Sequence, residues 1–205
     1  MVAKLLVSAS RTIGFDTSDA FLAAAAERAP HGVEYRHHDA RLLPLPEAPA
    51  DLIYCRLLLA HLSDPAAVVE GWCSQLAAGG RLAVDEVEWI ETGHPVLAAY
   101  EQLVVELVAS RGGPMYAGPI VAGLAGGPTW PQAASILQTL EVPTAAAARM
   151  YWMNLMTWRH DPFVAARHQP DEIDGLARDL AALTESAADS EICWGLRQVV
   201  FERIA

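Results

Sequence analysis

Asp51-Leu-Ile-Tyr-Cys-Arg-Leu-Leu-Leu-Ala-His-Leu-Ser-Asp-Pro65, followed after a helical stretch by Gly79-Gly-Arg-Leu-Ala-Val-Asp-Glu86, decides the fold of this chain. Leu52 to Cys55 is a short apolar run of the kind that fits a strand buried on both faces. A helix start comes next. Asp64 is placed to cap the free backbone N–H groups, and Pro65 takes the first helical position, where its missing donor costs nothing. Val68, Val69, Trp72, Cys73 and Leu76 then share one face at helical spacing, and Gly79-Gly80 predicts a left-handed stop. A second strand, Leu82 to Val84, ends on the two acids Asp85 and Glu86. Strand, helix and strand in this order make a parallel pair joined by a crossover, so the expected class is an α/β sheet covered by helices.

The residue types and spacing of this stretch resemble the fourth-strand to fifth-strand region of class I S-adenosylmethionine-dependent methyltransferases, over more than thirty positions. The resemblance implies a Rossmann-like methyltransferase sheet with helices on both faces and an antiparallel C-terminal strand pair. In that family the end of the fourth strand lines the methionine part of the cofactor, which places Cys55, Arg56 and Leu57 there. Arg56 also reads as an ordinary ion-pair partner for one of the many acids, and Tyr54 and Cys55 as plain core.

Toward the amino terminus, Thr12-Ile-Gly-Phe-Asp-Thr-Ser18 is similar to the family's second strand, whose terminal acid binds the ribose hydroxyls. Asp16 holds that position, with Thr17 and Ser18 beside it as cofactor-binding candidates. A carboxylate suits the task because it accepts from two adjacent hydroxyls at once. The alternative for Asp16 is a turn or capping residue ahead of a helix over Asp19–Ala29. Gly14 is the only glycine before Asp16, and no Gly-x-Gly precedes it. The expectation is therefore that the first strand and the glycine-rich cradle are missing. Val2, Leu5 and Leu6 then read as the last turns of the helix after that loop, with a strand over Leu5–Val7 as the rival. Binding of S-adenosylmethionine by the chain as written is accordingly expected to be weak or absent.

Val33 to Ala40 alternates as a further strand, and the family commonly sets an acid just after it, against the adenine amino group. Asp39 takes that place, with Ala40 next to it. His37 and His38 are consecutive, so as strand residues they point to opposite faces and cannot chelate one ion together; no metal is expected. His61, on the turn before the Asp64 cap, is either a proton-transfer candidate or a surface contact.

Composition narrows the function. A chain of 205 residues with 53% hydrophobic content is expected to be one domain over 1–205. Its net charge of -11 and single lysine, Lys4, exclude a general basic face for nucleic acid, so a small-molecule substrate is expected. Cys55, Cys73 and Cys193 are odd in number and far apart, which reads as reduced residues of a cytoplasmic protein. No apolar run is long enough to span a bilayer, and no signal-peptide pattern is present.

Beyond Glu86, a helix over Pro95–Ser110 shows Val96, Leu97, Tyr100, Leu103, Val104 and Leu107 on one side. Residues 95–130 and 145–185 read as helical lid or cover insertions, by similarity to the family. Trp89, Met115 and Tyr116 are candidates for the substrate pocket or, equally, core between helix and sheet. Ile136–Val142 predicts a strand, Arg149–Trp158 a helix, and Ile173, Leu176, Ala177, Leu180 and Leu183 a third helix. Ile192–Ile204 alternates as a closing strand, which the resemblance implies is antiparallel to its neighbour. No catalytic residue is assigned, because methyl transfer needs mainly in-line positioning of its two reactants. The expected function is S-adenosylmethionine-dependent methyl transfer to a small-molecule acceptor. The alternatives are a non-catalytic methyltransferase-like binding or assembly partner and, more remotely, a nicotinamide-dependent dehydrogenase. Open strand edges left by a missing central strand predict a homo-oligomer.

Overall fold

Ser18 starts the first helix among the described residues: its hydroxyl accepts the Phe21 N–H at 3.3 Å, and Asp19 adds a negative charge to the first turn. This computed structural model describes residues 9–29, 31–185 and 192–204, so the expectations for Val2, Leu5, Leu6 and Leu5–Val7 fall outside the described residues. Contacts divide the chain into two units, residues 1–49 and 50–205.

The first unit holds β1 (Thr12–Asp16), α1 (Asp19–Ala26) and β2 (Val33–His37). β1 and β2 pair in parallel, from Thr12 opposite Val33 to Asp16 opposite His37. α1 ends three residues before the expected Ala29, because the N–H groups of Arg28 and Ala29 turn back to carbonyls three residues away and tighten the last turn. β2 likewise stops at His37 rather than Ala40: Asp39 turns the chain, its Oδ1 accepting the Arg41 N–H at 2.9 Å. Arg11, just before β1, and Arg36 of β2 each bridge Glu34 and Glu47, tying the segment before the second unit to β2 and to the start of β1. These four groups are substantially exposed, so each pair contributes little by itself.

The second unit contains β3 (Ala50–Arg56), a short 3-10 turn (Leu59–His61), α2 (Pro65–Ser74), β4 (Leu76–Thr92) and α3 (Pro95–Ser110). It continues through α4 (Gly118–Ala122), β5 (Gly126–Gly127), β6 (Trp130–Val142), α5 (Thr144–Trp158), α6 (Pro162–Ala165), α7 (Pro170–Leu183) and β7 (Ile192–Glu202). The strands form one mixed sheet in the order β3-β4-β7-β6-β5. β3 and β4 are parallel; β7 lies antiparallel to both β4 and β6. This is the Rossmann-like α/β class, with the closing antiparallel strand in the expected place. Among the described residues, β1 and β3 each pair along one edge only.

Asp64 caps α2 by accepting the Ala67 N–H at 3.0 Å, and Pro65 opens the helix, as the local pattern requires. Gly79 and Gly80 do not stop that helix. β4 already begins at Leu76, and Ala50 pairs with Leu76 while Leu52 pairs with Arg81, so residues 77–80 bulge from the ladder. Gly79 sits at φ +75, and a Cβ on Gly80 would stand 2.8 Å from the Ala50 carbonyl oxygen. The Gly79 N–H donates to Arg203 O, and Arg203 N–H to Gly80 O, so the closing strand's end draws the glycines into the sheet.

α3, α5 and α7 pack as a cover around Leu97, Leu103, Leu107, Ala147, Leu155, Ile173 and Leu180, all buried. Ile90, Val142 and Trp194 at the ends of the long strands join this core.

Candidate functional site

Where β3 runs out, the backbone reverses sharply. Leu57 takes φ +52, a left-handed conformation costly for a side chain with a Cβ, and its N–H donates to Asp85 O at 2.9 Å. The next two N–H groups, of Leu58 and Leu59, converge on one oxygen, Glu86 Oε1, at 2.9 and 2.8 Å. Glu86 is 1% exposed, and its Oε2 has no hydrogen-bond partner among the described residues. Burial raises its pKa, against the lowering effect of the backbone N–H groups.

Cys55 is buried beneath this turn, and burial with the nearby Glu86 charge pushes its thiol up to about 12, so it packs rather than reacts. Arg56 is exposed and its guanidinium makes no ion pair or hydrogen bond among the described residues, so the ion-pair reading of this residue is not realised. On the neighbouring strands, Tyr54 donates to Asp85 at 2.6 Å and Gln198 donates to the other Asp85 oxygen at 2.8 Å. Burial and that bond raise the Tyr54 pKa to about 12. His61 closes the short turn, where partial burial and the Arg111 charge favour the neutral imidazole.

A second polar centre lies in the helical cover. Glu101 is 8% exposed on α3 and accepts the hydroxyls of Tyr116 at 2.7 Å and Tyr151 at 2.9 Å. Tyr100 stacks on Tyr151 with ring centroids 4.0 Å apart, and Trp158 lies 5.8 Å from Tyr100. Burial raises the Glu101 pKa while the two hydroxyls oppose the shift. The pocket candidates thus part company. Tyr116 belongs to this polar centre, while the Trp89 ring packs on Gly195 of β7, where an added Cβ would meet it at 2.5 Å. Met115 is half-buried just before α4, in a segment whose Gly113 lies against the Ala60 carbonyl of the turn after β3. An open groove of about 350 Å³ between α5 and α7, lined by Trp152, Met156, Arg159, Asp174 and Arg178, contains none of the candidates.

In the first unit, Asp16 ends β1 half-buried, and its Oδ1 accepts the Ser18 N–H at 2.8 Å. Its other oxygen has no donor among the described residues, so the turn-forming contact leaves acceptor capacity. Thr17 is exposed, and the Ser18 hydroxyl is engaged in capping α1. Asp39 is held by Arg41 through contacts of 2.6 to 3.1 Å, which lower its pKa to about 2. Ala40 is half-buried beside it.

Sequence reasoning missed Glu86 and Glu101. Both carried a signal: Glu86 extends the buried alternation Leu82, Val84 by one more step, and Glu101 lies four residues after Leu97 on the buried face of α3. An acid at an apolar position of a regular pattern marks a place where the local rule is broken.

The architecture defines a Rossmann-like α/β protein with a helical cover on a mixed sheet. Residues 1–84, of 205, match the family described as methyltransferase domain. A putative methyltransferase from Bacillus halodurans superposes with a TM-score of 0.59 at 11% identity, over 95% of this chain and 84% of that one. The 4+2 cyclase SpnF gives a TM-score of 0.50 at 20% identity, over 100% of this chain and 70% of that one. Coclaurine N-methyltransferase, bound to N-methylheliamine and SAH, gives 0.52 at 10% identity, over 94% of this chain and 60% of that one. At these identities the likeness shows the fold alone, and a cyclase among the neighbours illustrates that this fold hosts more than one reaction. No curated protein matches the sequence.

Proposed function

We propose that this chain takes part in S-adenosylmethionine-dependent methyl transfer to a small-molecule acceptor. The observation that carries the reading is the exposed guanidinium of Arg56 at the end of β3, unpaired among the described residues, beside a turn whose backbone is fixed by Asp85 and Glu86. A planar cation in that position suits the carboxylate of an amino-acid moiety. Asp16 keeps one carboxylate oxygen for the ribose hydroxyls, and Asp39, steadied by Arg41, stays ionised for the adenine amino group, with Thr17, Ser18 and Ala40 flanking them. Cys55 and Leu57 supply the walls of the methionine end. When bound, the sulfonium cofactor provides the electrophilic methyl group. The protein's own task is then to orient the acceptor and exclude water, for which Trp89, Met115 and Tyr116 are the proposed surfaces.

Affinity for the cofactor is proposed to be weak, because residues 1–49 contain only Gly14 and Gly32 and no Gly-x-Gly for close backbone approach. The second reading is a methyltransferase-like binding or assembly partner. Titration calorimetry with S-adenosylhomocysteine separates the two. The enzyme reading expects a dissociation constant of about a millimolar or below, raised at least tenfold by Asp16→Ala, on the scale of a charged hydrogen bond. No heat of binding at several millimolar ligand overturns it in favour of the assembly reading. A cytoplasmic setting is proposed from the three free cysteines; no helix among the described residues is long and apolar enough to cross a membrane.

A further inference from the structure

We propose that Glu86 is a positioning residue that holds the turn after β3 in the shape required by the methionine end of the cofactor, a role that rests on the methyl-transfer reading above. Leu82, Val84 and Glu86 occupy successive inward positions of β4, and all three are buried. An apolar side chain at the third position would continue the core without the cost of taking a carboxyl group out of water. The acid is there instead, with no cation within ion-pair distance among the described residues and with Oε2 unpartnered. A buried acid held this way weakens the packing it sits in, so its presence there is explained by what its other oxygen does.

That oxygen gathers the Leu58 and Leu59 N–H groups at 2.9 and 2.8 Å. Both follow directly on Leu57, whose left-handed φ of +52 needs surrounding structure to persist. Glu86 is thus the side chain that fixes where Arg56 and Leu57 are presented, while itself lying beneath the turn. Asp85 O completes the hold by accepting the Leu57 N–H at 2.9 Å. Two consecutive residues of β4 therefore anchor three consecutive N–H groups, one through its backbone and one through its carboxylate. A residue of this kind touches no reacting atom; it acts through the turn.

Two variants of the full chain test this. Glu86→Gln keeps an acceptor oxygen for both N–H groups; Glu86→Leu continues the apolar pattern and removes it. The expected result is that Glu86→Leu folds, by circular dichroism and cooperative unfolding, yet exchanges the Leu58 and Leu59 amides about tenfold faster or more. It also weakens S-adenosylhomocysteine binding by about tenfold or more, whereas Glu86→Gln stays within about threefold of wild type in both measurements. Unchanged exchange at Leu58 and Leu59 in Glu86→Leu overturns the clamp. Faster exchange with unchanged ligand affinity overturns its role toward the cofactor. Wild-type protein that binds no ligand defeats the methyl-transfer reading and the ligand half of this proposal together, while the exchange arm still decides whether Glu86 sets the turn.

Discussion

The Tyr116 hydroxyl donates to Glu101 Oε1 over 2.7 Å, fastening the irregular segment after α3 back onto the buried face of that helix. Tyr151 of α5 donates to the second carboxylate oxygen, so one acid joins three parts of the cover. Tyr116→Phe removes one donor and leaves a buried carboxylate oxygen without a partner. The expected loss is about 1–3 kcal/mol of unfolding free energy by urea denaturation. A loss well under 0.5 kcal/mol would mean that water replaces the hydroxyl and that this end of the cover is open.

Stability should depend on pH through the two buried acids. The pKa values of Glu86 and Glu101 are both raised by burial above the ordinary glutamate value of 4.5, so the native state holds protons that the unfolded chain releases. Their contribution is fully present below about 4.5 and is lost as pH rises through the raised values. Asp39 acts in the opposite sense: lowered from 3.8 to about 2, it contributes above 3.8 and loses that contribution as pH falls through about 2. Urea midpoints followed upward from pH 4.5 should therefore decline, and Glu101→Gln should flatten the decline. A slope that Glu101→Gln leaves unchanged would assign the proton uptake elsewhere.

Arg56 should discriminate between ligands that differ at one end. S-adenosylhomocysteine carries an amino-acid carboxylate and 5'-methylthioadenosine does not. Arg56→Ala is expected to cost the first about 1–2 kcal/mol of affinity and the second almost nothing, since a charged hydrogen bond is lost only where a carboxylate is present. Equal losses for both ligands in competition titrations would remove Arg56 from the methionine end.

β6 should make the protein associate. Ile136, Leu137 and Leu140 are 48%, 42% and 41% exposed, and beyond the short β5 pairing this strand meets β7 alone among the described residues. A long apolar edge of this kind pairs readily with another chain. Sedimentation velocity should show concentration-dependent association that Ile136→Lys reduces. A wild-type protein that stays monomeric across a hundredfold range of concentration would show that this edge is protected.

What could be read early follows from the range of the forces involved. Asp64, Pro65 and the apolar spacing of Val69, Trp72 and Cys73 act within one or two helical turns, and α2 forms where they place it. Pro95 to Ser110 was legible for the same reason, and its boundaries coincide with those of α3. The closing strand was also legible, since Ile192 to Glu202 carries enough β-branched and apolar residues for a long ladder. Of the candidate site, the positions of Asp16 and Arg56 at strand ends came through. Their partners did not, because a hydrogen bond such as that from Gln198 to Asp85 spans 113 residues of chain.

By itself, then, the sequence determined the strand–helix–strand unit and the capped start of α2, consequences of local capping and periodicity, while the antiparallel closing strand followed from the family resemblance. The tertiary structure alone decided that Gly79-Gly80 bulges within a strand, that Glu86 gathers two N–H groups, and that Glu101 unites Tyr116 with Tyr151. The physical reason is shared by all three. A glycine pair stops a helix or bends a strand according to what lies beside it, here Arg203 of the closing strand, and an acid is a surface charge or a buried anchor according to which distant donors the fold brings within 3 Å.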